Sequence, residues 1–456
     1  MAATSVIEQT YAYPFASKLA AVGGRPRLAL AASSDAVAER LFFAGALLRS
    51  EVAAGVLLAA SDVALRRYYI PPTMVARILR AADPVVTAAD GRLRFESFSQ
   101  CCGVYARADL LPGMLATEIC GKGTTSVDFN PPTRAALARI RHPDSLDLRV
   151  TPEQLELTTE SGAAVERKVK LPVRWLKGFA EVQALAASLV HAATLNGPEA
   201  RRFLSAIPRQ VKAHDRAWLI PVHGGLRMSQ QPSRQAISAA GLGRLQAMKP
   251  LARYAESLRV YAGAHGTSAF ELDFGSARFT LVLSAAAARG FSGEGQLLAA
   301  IRAHDADAAL ARVKATLAWQ SDIEAAELAQ RLSLPESVVN SALSLLAARG
   351  LVGFDAREGS YFHRALPFDL SQVGSLYPRL VDARALLADS AVTLKANRGG
   401  AIEATVRGQE VEHRVRLDGE DFQCTCIWHA RTGGESGPCK HALAVMLMRD
   451  MLPERQ

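Results

Sequence analysis

Three cysteines and one histidine fall in two close pairs, Cys424-Thr425-Cys426 and Cys439-Lys440-His441, with twelve residues between them. Thiolate sulfur and imidazole nitrogen are the donors that zinc prefers. Four of them complete a tetrahedral shell and leave no position for a reacting water. The intervening loop holds Gly433, Gly434 and Gly437, which lets the chain fold back and bring both pairs to one ion. Half of the six cysteines lie inside this 18-residue window. The chemistry expected is therefore one structural Zn2+ held by Cys424, Cys426, Cys439 and His441. His429 is the alternative donor, although an exposed loop histidine is the plainer reading of it.

The elements that must position these donors can be read on either side. Val411 to Gln423 alternates apolar and charged residues, which predicts one strand that leads Cys424 and Cys426 onto a common face. Pro438 suits the first turn of a helix, and His441-Ala-Leu-Ala-Val-Met-Leu-Met continues as a helical run. Cys439 would then sit near a helix N-terminus, whose dipole favours its thiolate. A module of about 60 residues is marginal alone and gains from a metal staple. Three thiolates, and a stretch 1–20 without a basic segment followed by an apolar one, imply a reducing cytoplasm. The longest apolar run, Leu41 to Leu65, is broken by Arg49, Glu51 and Asp62, so no membrane span is expected.

The chain of 456 residues is 49% hydrophobic and 21% charged, the balance of a globular protein of several domains. Its net charge of +9 raises the question of a nucleic-acid partner. That charge is unevenly placed. Residues 131–260 hold 20 Lys/Arg against 10 Asp/Glu, a net of +10. Residues 308–365 have 6 against 6, and residues 390–456 have 9 against 9.

The fold class expected is α+β and multidomain. Residues 1–111 form a mixed N-terminal domain, with strands at Arg27–Ala31, Arg92–Phe98 and Val104–Arg107 and a helix at Pro71–Ala82. Residues 112–305 form one or two basic α+β domains. There, Leu146–Val150, Gln154–Thr158 and Val165–Val169 read as meander strands, and Phe270–Phe274 with Arg278–Leu283 as a hairpin around Gly275-Ser276. Gly178–Leu195 and Pro198–Ala206 read as helices. Residues 369–389 read as a linker, and 390–456 as the zinc module, a ββα-type finger.

Residues 306–368 read as a winged helix–turn–helix. Helices at Ala308–Trp319, Glu324–Leu332 and Glu336–Ala348 precede two short strands, Leu351–Phe354 and Ser360–His363, joined by Asp355-Ala-Arg-Glu-Gly359. The third helix has a single cation, Arg349, at its far end, and Glu336 at its start. Reading bases and anchoring phosphates require more than that, so protein contact is the favoured role and DNA the alternative. Arg289-Gly-Phe-Ser-Gly-Glu-Gly295 lacks the P-loop lysine and reads as a tight turn, and Gly121–Thr125 as a polar loop. Cys101 and Cys102, with only Cys120 nearby, suit neither a strainless disulfide nor a regular zinc half-site and read as buried thiols. The group Arg167-Lys168-Val-Lys170…Arg174-Trp175-Leu-Lys177 interleaves cations and an aromatic, as nucleic-acid grooves do, though a solvated strand face is the plainer reading. No nucleophile elbow, H-E-x-x-H pair or carboxylate dyad is present, which favours a non-enzymatic role.

The order Cys-x-Cys…Cys-x-His resembles the SWIM zinc finger. The segments "RLRFESFSQCCGVYARADLLPG", "GTTSVDFNPPTRAALARIR", "ERKVKLPVRWLKGF", "RGFSGEGQLL" and "GLVGFDAREGSYFHRALPFDL", with "CTCIWHARTGGESGPCKH", resemble long bacterial SWIM zinc-finger proteins. That resemblance implies a cytoplasmic, zinc-containing adaptor with protein partners. MoxR-type AAA+ ATPases and von Willebrand factor A proteins are the partners it points to. The alternative is a DNA-binding protein that uses residues 131–260, with the two small modules as accessories.

Overall fold

The computed structural model describes residues 18–22, 25–31, 41–68, 84–127, 129–151, 154–159, 173–208, 216–234, 236–263, 266–285, 290–291, 306–366, 378–398, 401–408, 411–418, 421–433 and 437–450. In chain order it begins with β1 (Lys18–Val22), β2 (Arg25–Ala31), β3 (Phe43–Ala46) and α1 (Ser50–Leu65). Then come β4 (Val85–Ala89), β5 (Arg92–Phe98), β6 (Val104–Leu110), β7 (Gly123–Ser126) and α2 (Pro131–Arg139). Next are β8 (Leu146–Val150), β9 (Gln154–Thr159), α3 (Val173–Ala186), β10 (Val190–Asn196) and α4 (Gly197–Ala206). β11 (Arg216–Val222), β12 (Gly225–Ser229) and β13 (Ile237–Ala240) lead to a 3-10 segment, Leu242–Tyr254, followed by β14 (Ser257–Ala262), β15 (Ser268–Asp273) and β16 (Ala277–Leu283).

Three helices follow, α5 (Ala306–Ala315), α6 (Ala325–Leu332) and α7 (Glu336–Ala348), and then a two-stranded hairpin, β17 (Val352–Asp355) and β18 (Ser360–His363). The last part is α8 (Pro378–Ala388), β19 (Val392–Arg398), β20 (Ala401–Arg407), β21 (Glu412–Asp418), β22 (Asp421–Cys424), α9 (Ile427–Thr432) and α10 (Lys440–Asp450). The fold is mixed α+β.

The largest sheet has eight antiparallel strands in the order β10-β14-β15-β16-β6-β5-β4-β7. Side chains on a strand alternate between faces, and here both faces are covered. Leu93, Phe95, Ala108, Phe270, Leu272, Phe279 and Leu281 point into the main core, under α1, the 3-10 segment and α4. α1 is buried on nearly every side, which explains why its apolar run is so long. No helix among the described residues is long and apolar enough to cross a membrane. On the opposite face, Phe98 and Tyr105 join Trp175 and Phe179 of α3 in an aromatic cluster, with the Phe98 and Phe179 rings 4.9 Å apart and nearly perpendicular.

The rest of that second face is charged, and the hairpin sits on it. Cross-strand pairing sets Asp109 opposite both Arg94 and Arg278, Arg107 opposite Glu96 and Thr280, and Glu271 opposite Thr280. Asp355 of β17 lies 2.9 Å from Arg107 and 3.1 Å from Arg94, and Arg94 also contacts Asp109 at 2.5 Å. Arg278 bonds Glu358 at 2.6 Å, Arg357 bonds Asp273 at 2.5 Å, and Arg364 pairs with Glu96. Asp355 and Arg364 are both fully buried. Charges leave water only when paired this closely, so the joint fixes one orientation of hairpin on sheet.

Several expectations change. The division at residue 111 runs through the eight-stranded sheet: β4, β5 and β6 precede it, while β7, β10 and β14–β16 follow it. Leu111-Pro112-Gly113 is a local turn, and composition cannot reveal the distant pairings that cross it. The helix expected over Gly178–Leu195 ends at Ala186, and Val190–Asn196 is a strand pairing with β14. Tertiary pairing overrides the helix preference of Ala192 and Ala193. Part of the expected linker 369–389 is helix α8, which packs on α10.

The expected hairpin at β15–β16 forms around Gly275 (φ 75°), and β8 pairs with β9. The helix at Pro71–Ala82, the strand at Val165–Val169 and the group Arg167–Lys170 lie outside the described residues. Cys102 is buried, Cys101 half-buried and Cys120 exposed, with no disulfide between them.

Candidate metal centre

The four donors converge at one end of a small antiparallel sheet, β19-β20-β21-β22. The strand expected from Val411 to Gln423 is instead a tight hairpin. Asp418 pairs with Asp421, and Val415 stands opposite Cys424. Strand β21 alternates cleanly, Val415 and Leu417 buried and Arg414 and Arg416 exposed. The hairpin sets Cys424 on the last strand residue, and the main chain of Thr425 is held by Arg414.

Cys426 does not continue the strand. It is the N-cap of α9, where its sulfur accepts the backbone N–H of His429 at 3.4 Å. Cys439 repeats the device before α10, accepting the N–H of Ala442 at 3.4 Å. Pro438 therefore lies just outside the helix rather than in its first turn, and Cys439 takes the cap. Both sulfurs serve as caps at helix starts, where N–H groups lack intrahelical partners. Gly433 closes α9 in the left-handed region (φ 57°), its N–H donating to the carbonyl of His429. The apolar face of α10, Leu443, Val445, Met446 and Leu447, is buried against the sheet and α8.

One ligand atom from each of Cys424, Cys426, Cys439 and His441 lies within 4.8 Å of the other three. All four residues are buried. His441 directs Nδ1 toward the cluster, 3.9 Å from the Cys424 sulfur. The hydrogen bond from Cys424, with lesser help from His441 and the Ala442 N–H, holds the Cys439 thiol down at about 3. Donating that bond pushes Cys424 up, and burial pushes Cys426 up. One thiolate is thus built in, and two further thiols are costly to ionise without a cation at the centre. The donor set fits Zn2+: soft sulfur, one imidazole, a closed shell and no further side-chain ligand among the described residues. His413 packs against His441, ring centroids 4.2 Å apart and planes tilted by 39°, and supports that ligand's orientation. His429 is not a donor; its ring meets Phe422 edge-on at 5.6 Å.

All four expected ligands are brought together. What the sequence reading missed surrounds them. Trp428 and Ile427 follow Cys426 directly and are exposed at 42% and 69%. Arg379 of α8 lies over the Trp428 ring at 4.7 Å. The signal was the aromatic residue next to a ligand, unexplained by any core pattern.

A family model described as the SWIM zinc finger matches residues 413–450. The module is a SWIM zinc finger, with its four ligands positioned to bind one zinc ion. Comparison with curated proteins gives no match. Among solved structures, the chain is similar to the C-terminal region of FEN-1 bound to A. fulgidus PCNA, at 13% identity and TM-score 0.35, covering 53% of this chain and 97% of that one. It is also similar to the Proliferating Cellular Nuclear Antigen of Entamoeba histolytica (9%, TM-score 0.33, 53% and 98%). The PCNA2-PCNA3 complex of Sulfolobus tokodaii gives 7%, TM-score 0.34, 53% and 98%. Likeness at this level does not define a shared fold.

Proposed function

We propose that this protein is a non-catalytic, zinc-stapled adaptor that works by binding other proteins. The observation that carries the reading is the burial of the hairpin β17–β18. If α5–α7 and this hairpin are a winged helix, a DNA-reading member must expose its third helix and its wing. Here Asp355, Ser360, Phe362 and His363 are buried. Phe362 lies under the Arg94 guanidinium at 3.6 Å. α7 packs against α5 and α3, leaving mainly its first turn exposed. The surfaces that would meet a duplex are spent on the chain's own body. A filled Cys3His shell likewise leaves no coordination position for substrate.

Resemblance to long bacterial SWIM proteins supports a cytoplasmic setting and partners of the MoxR-type AAA+ and von Willebrand factor A classes. A second reading rests on the net +10 of residues 131–260, where Arg139, Arg141, Arg201, Arg202 and Arg253 are exposed. One titration separates the two. Fluorescence anisotropy with a random-sequence duplex, repeated from low to physiological salt, should show no saturable binding. Tight binding whose logarithm falls linearly with log[salt], with a slope of several phosphates, would replace the adaptor reading with the DNA reading.

A further inference from the structure

The groove beside the zinc module is the feature that the metal site alone does not explain. It measures about 860 Å³ and lies between α8, α9 and the residues Arg407, Gly408 and Val411 at the facing ends of β20 and β21. Among the described residues, few large apolar side chains are strongly exposed, and three of them line this groove: Ile427 (69%), Val411 (60%) and Trp428 (42%). Clustered exposed apolar groups mark interaction sites more reliably than scattered ones, and Trp and Arg are the residues that most often anchor partners. The rim is charged. Lys440 and Asp382 neutralise one another at 3.3 Å, Arg379 covers one face of Trp428, and Arg407 donates to the main-chain oxygen of Asp389.

We infer that this groove is a docking site for a short segment of a partner protein, one that presents a bulky apolar side chain with a carboxylate beside it. This inference rests on the adaptor reading and names its contact surface. Three cations, Arg379, Arg407 and Lys440, line the groove against two acids, Asp382 and Asp389. An acid–apolar peptide is complementary to that set. A nucleic-acid strand fits less well, because its successive phosphates would meet both carboxylates, whereas a single peptide carboxylate can sit beside Arg407, and Arg379 already covers one stacking face of the indole. The wall is made by the metal ligands themselves. Ile427 and Trp428 directly follow Cys426, and Cys439 and His441 also line the groove. Docking is therefore coupled to the zinc centre, because loss of the Cys426 anchor releases the helix that presents Trp428.

The test uses the full-length, zinc-loaded chain and a displayed library of random short peptides. Enriched peptides should share a large apolar residue next to Asp or Glu. Their affinity should fall about tenfold or more with Trp428→Ala. It should also fall with Ile427→Ser, an exposed position whose change spares the core, and with Arg407→Glu, while zinc content stays at the wild-type level in all three. Chelation of zinc should abolish binding. No enrichment over bare matrix, or enriched peptides that bind Trp428→Ala and Ile427→Ser as well as wild type, overturns the inference. So does a dimer in sedimentation equilibrium that both variants dissolve, since the occupant is then a second copy. A host partner that co-purifies equally with wild type and Trp428→Ala sinks the groove alone and leaves the adaptor reading standing.

Discussion

Replacing Asp355 with asparagine keeps the side chain's shape and removes one negative charge from the joint between hairpin and sheet. Its carboxylate is fully buried between Arg107 and Arg94. After the change both arginines keep Asp109, at 2.5 and 2.8 Å, and Arg107 keeps the more distant Glu271, at 3.8 Å. Removing one partner of a buried ion pair costs about 3–5 kcal/mol because the other charge stays desolvated. With Asp109 still in place the lower end applies, about 3 kcal/mol, or on the order of a hundredfold in the docking equilibrium.

Hydrogen exchange of the intact chain reads this directly. Amides of β17 and β18 should exchange about a hundredfold faster, while those of β14–β15 stay protected. The pH response has a fixed sign. Burial alone would raise the Asp355 carboxyl, but Arg107 and Arg94 outweigh it and hold it well below the usual carboxylate range. A depressed folded value contributes stability above the unfolded value of about 4, and that contribution is lost as pH falls below it. Asp109 acts in the same direction. Glu271, raised by burial and then by Asp355, opposes them weakly. Wild-type hairpin protection should therefore hold between neutral and mildly acidic pH and decline below about pH 4. Exchange of β17–β18 in Asp355→Asn within twofold of wild type would refute the idea that this network seats the hairpin.

Two further substitutions test the packing. A Cβ added at Gly353 would lie 2.2 Å from the Phe362 ring, which is itself pinned under Arg94, so Gly353→Ala should cost about 1–3 kcal/mol in urea unfolding. Arg244 is buried and donates to the carbonyls of Gly103, Ala240 and Ser284. Arg244→Met would strip those acceptors and lower stability by about 3 kcal/mol, whereas a change below about 0.5 kcal/mol would show the bonds to be idle.

The metal site was legible because its information is local: ligand identity, spacing, glycine loop and flanking helix all sit within a few tens of residues. The three helices and the hairpin of 306–363 were legible for the same reason, down to Gly350 and Gly359 at their turns. What escaped was non-local. Arg92, Arg94 and Glu96 look like the wet side of an amphipathic strand, yet this stripe faces Asp109, Asp355 and Arg364 in a buried joint. Alternation reports that two faces differ, not which of them is covered. Val190–Asn196 looked helical because strand identity there depends on β14, some 65 residues downstream. Pro438 was placed two residues too deep because a cysteine is not an expected helix cap; metal-ligand sulfur made it one.

The central claim is that Cys424, Cys426, Cys439 and His441 hold one structural zinc. Elemental analysis of the purified chain, alongside Cys424→Ser, tests it most directly. The account predicts about one zinc per wild-type chain. In the variant it predicts loss of metal and loss of exchange protection across β21–α10, while β14–β16 remain protected. Wild-type protein without stoichiometric zinc, or full zinc retained by Cys424→Ser, would contradict it.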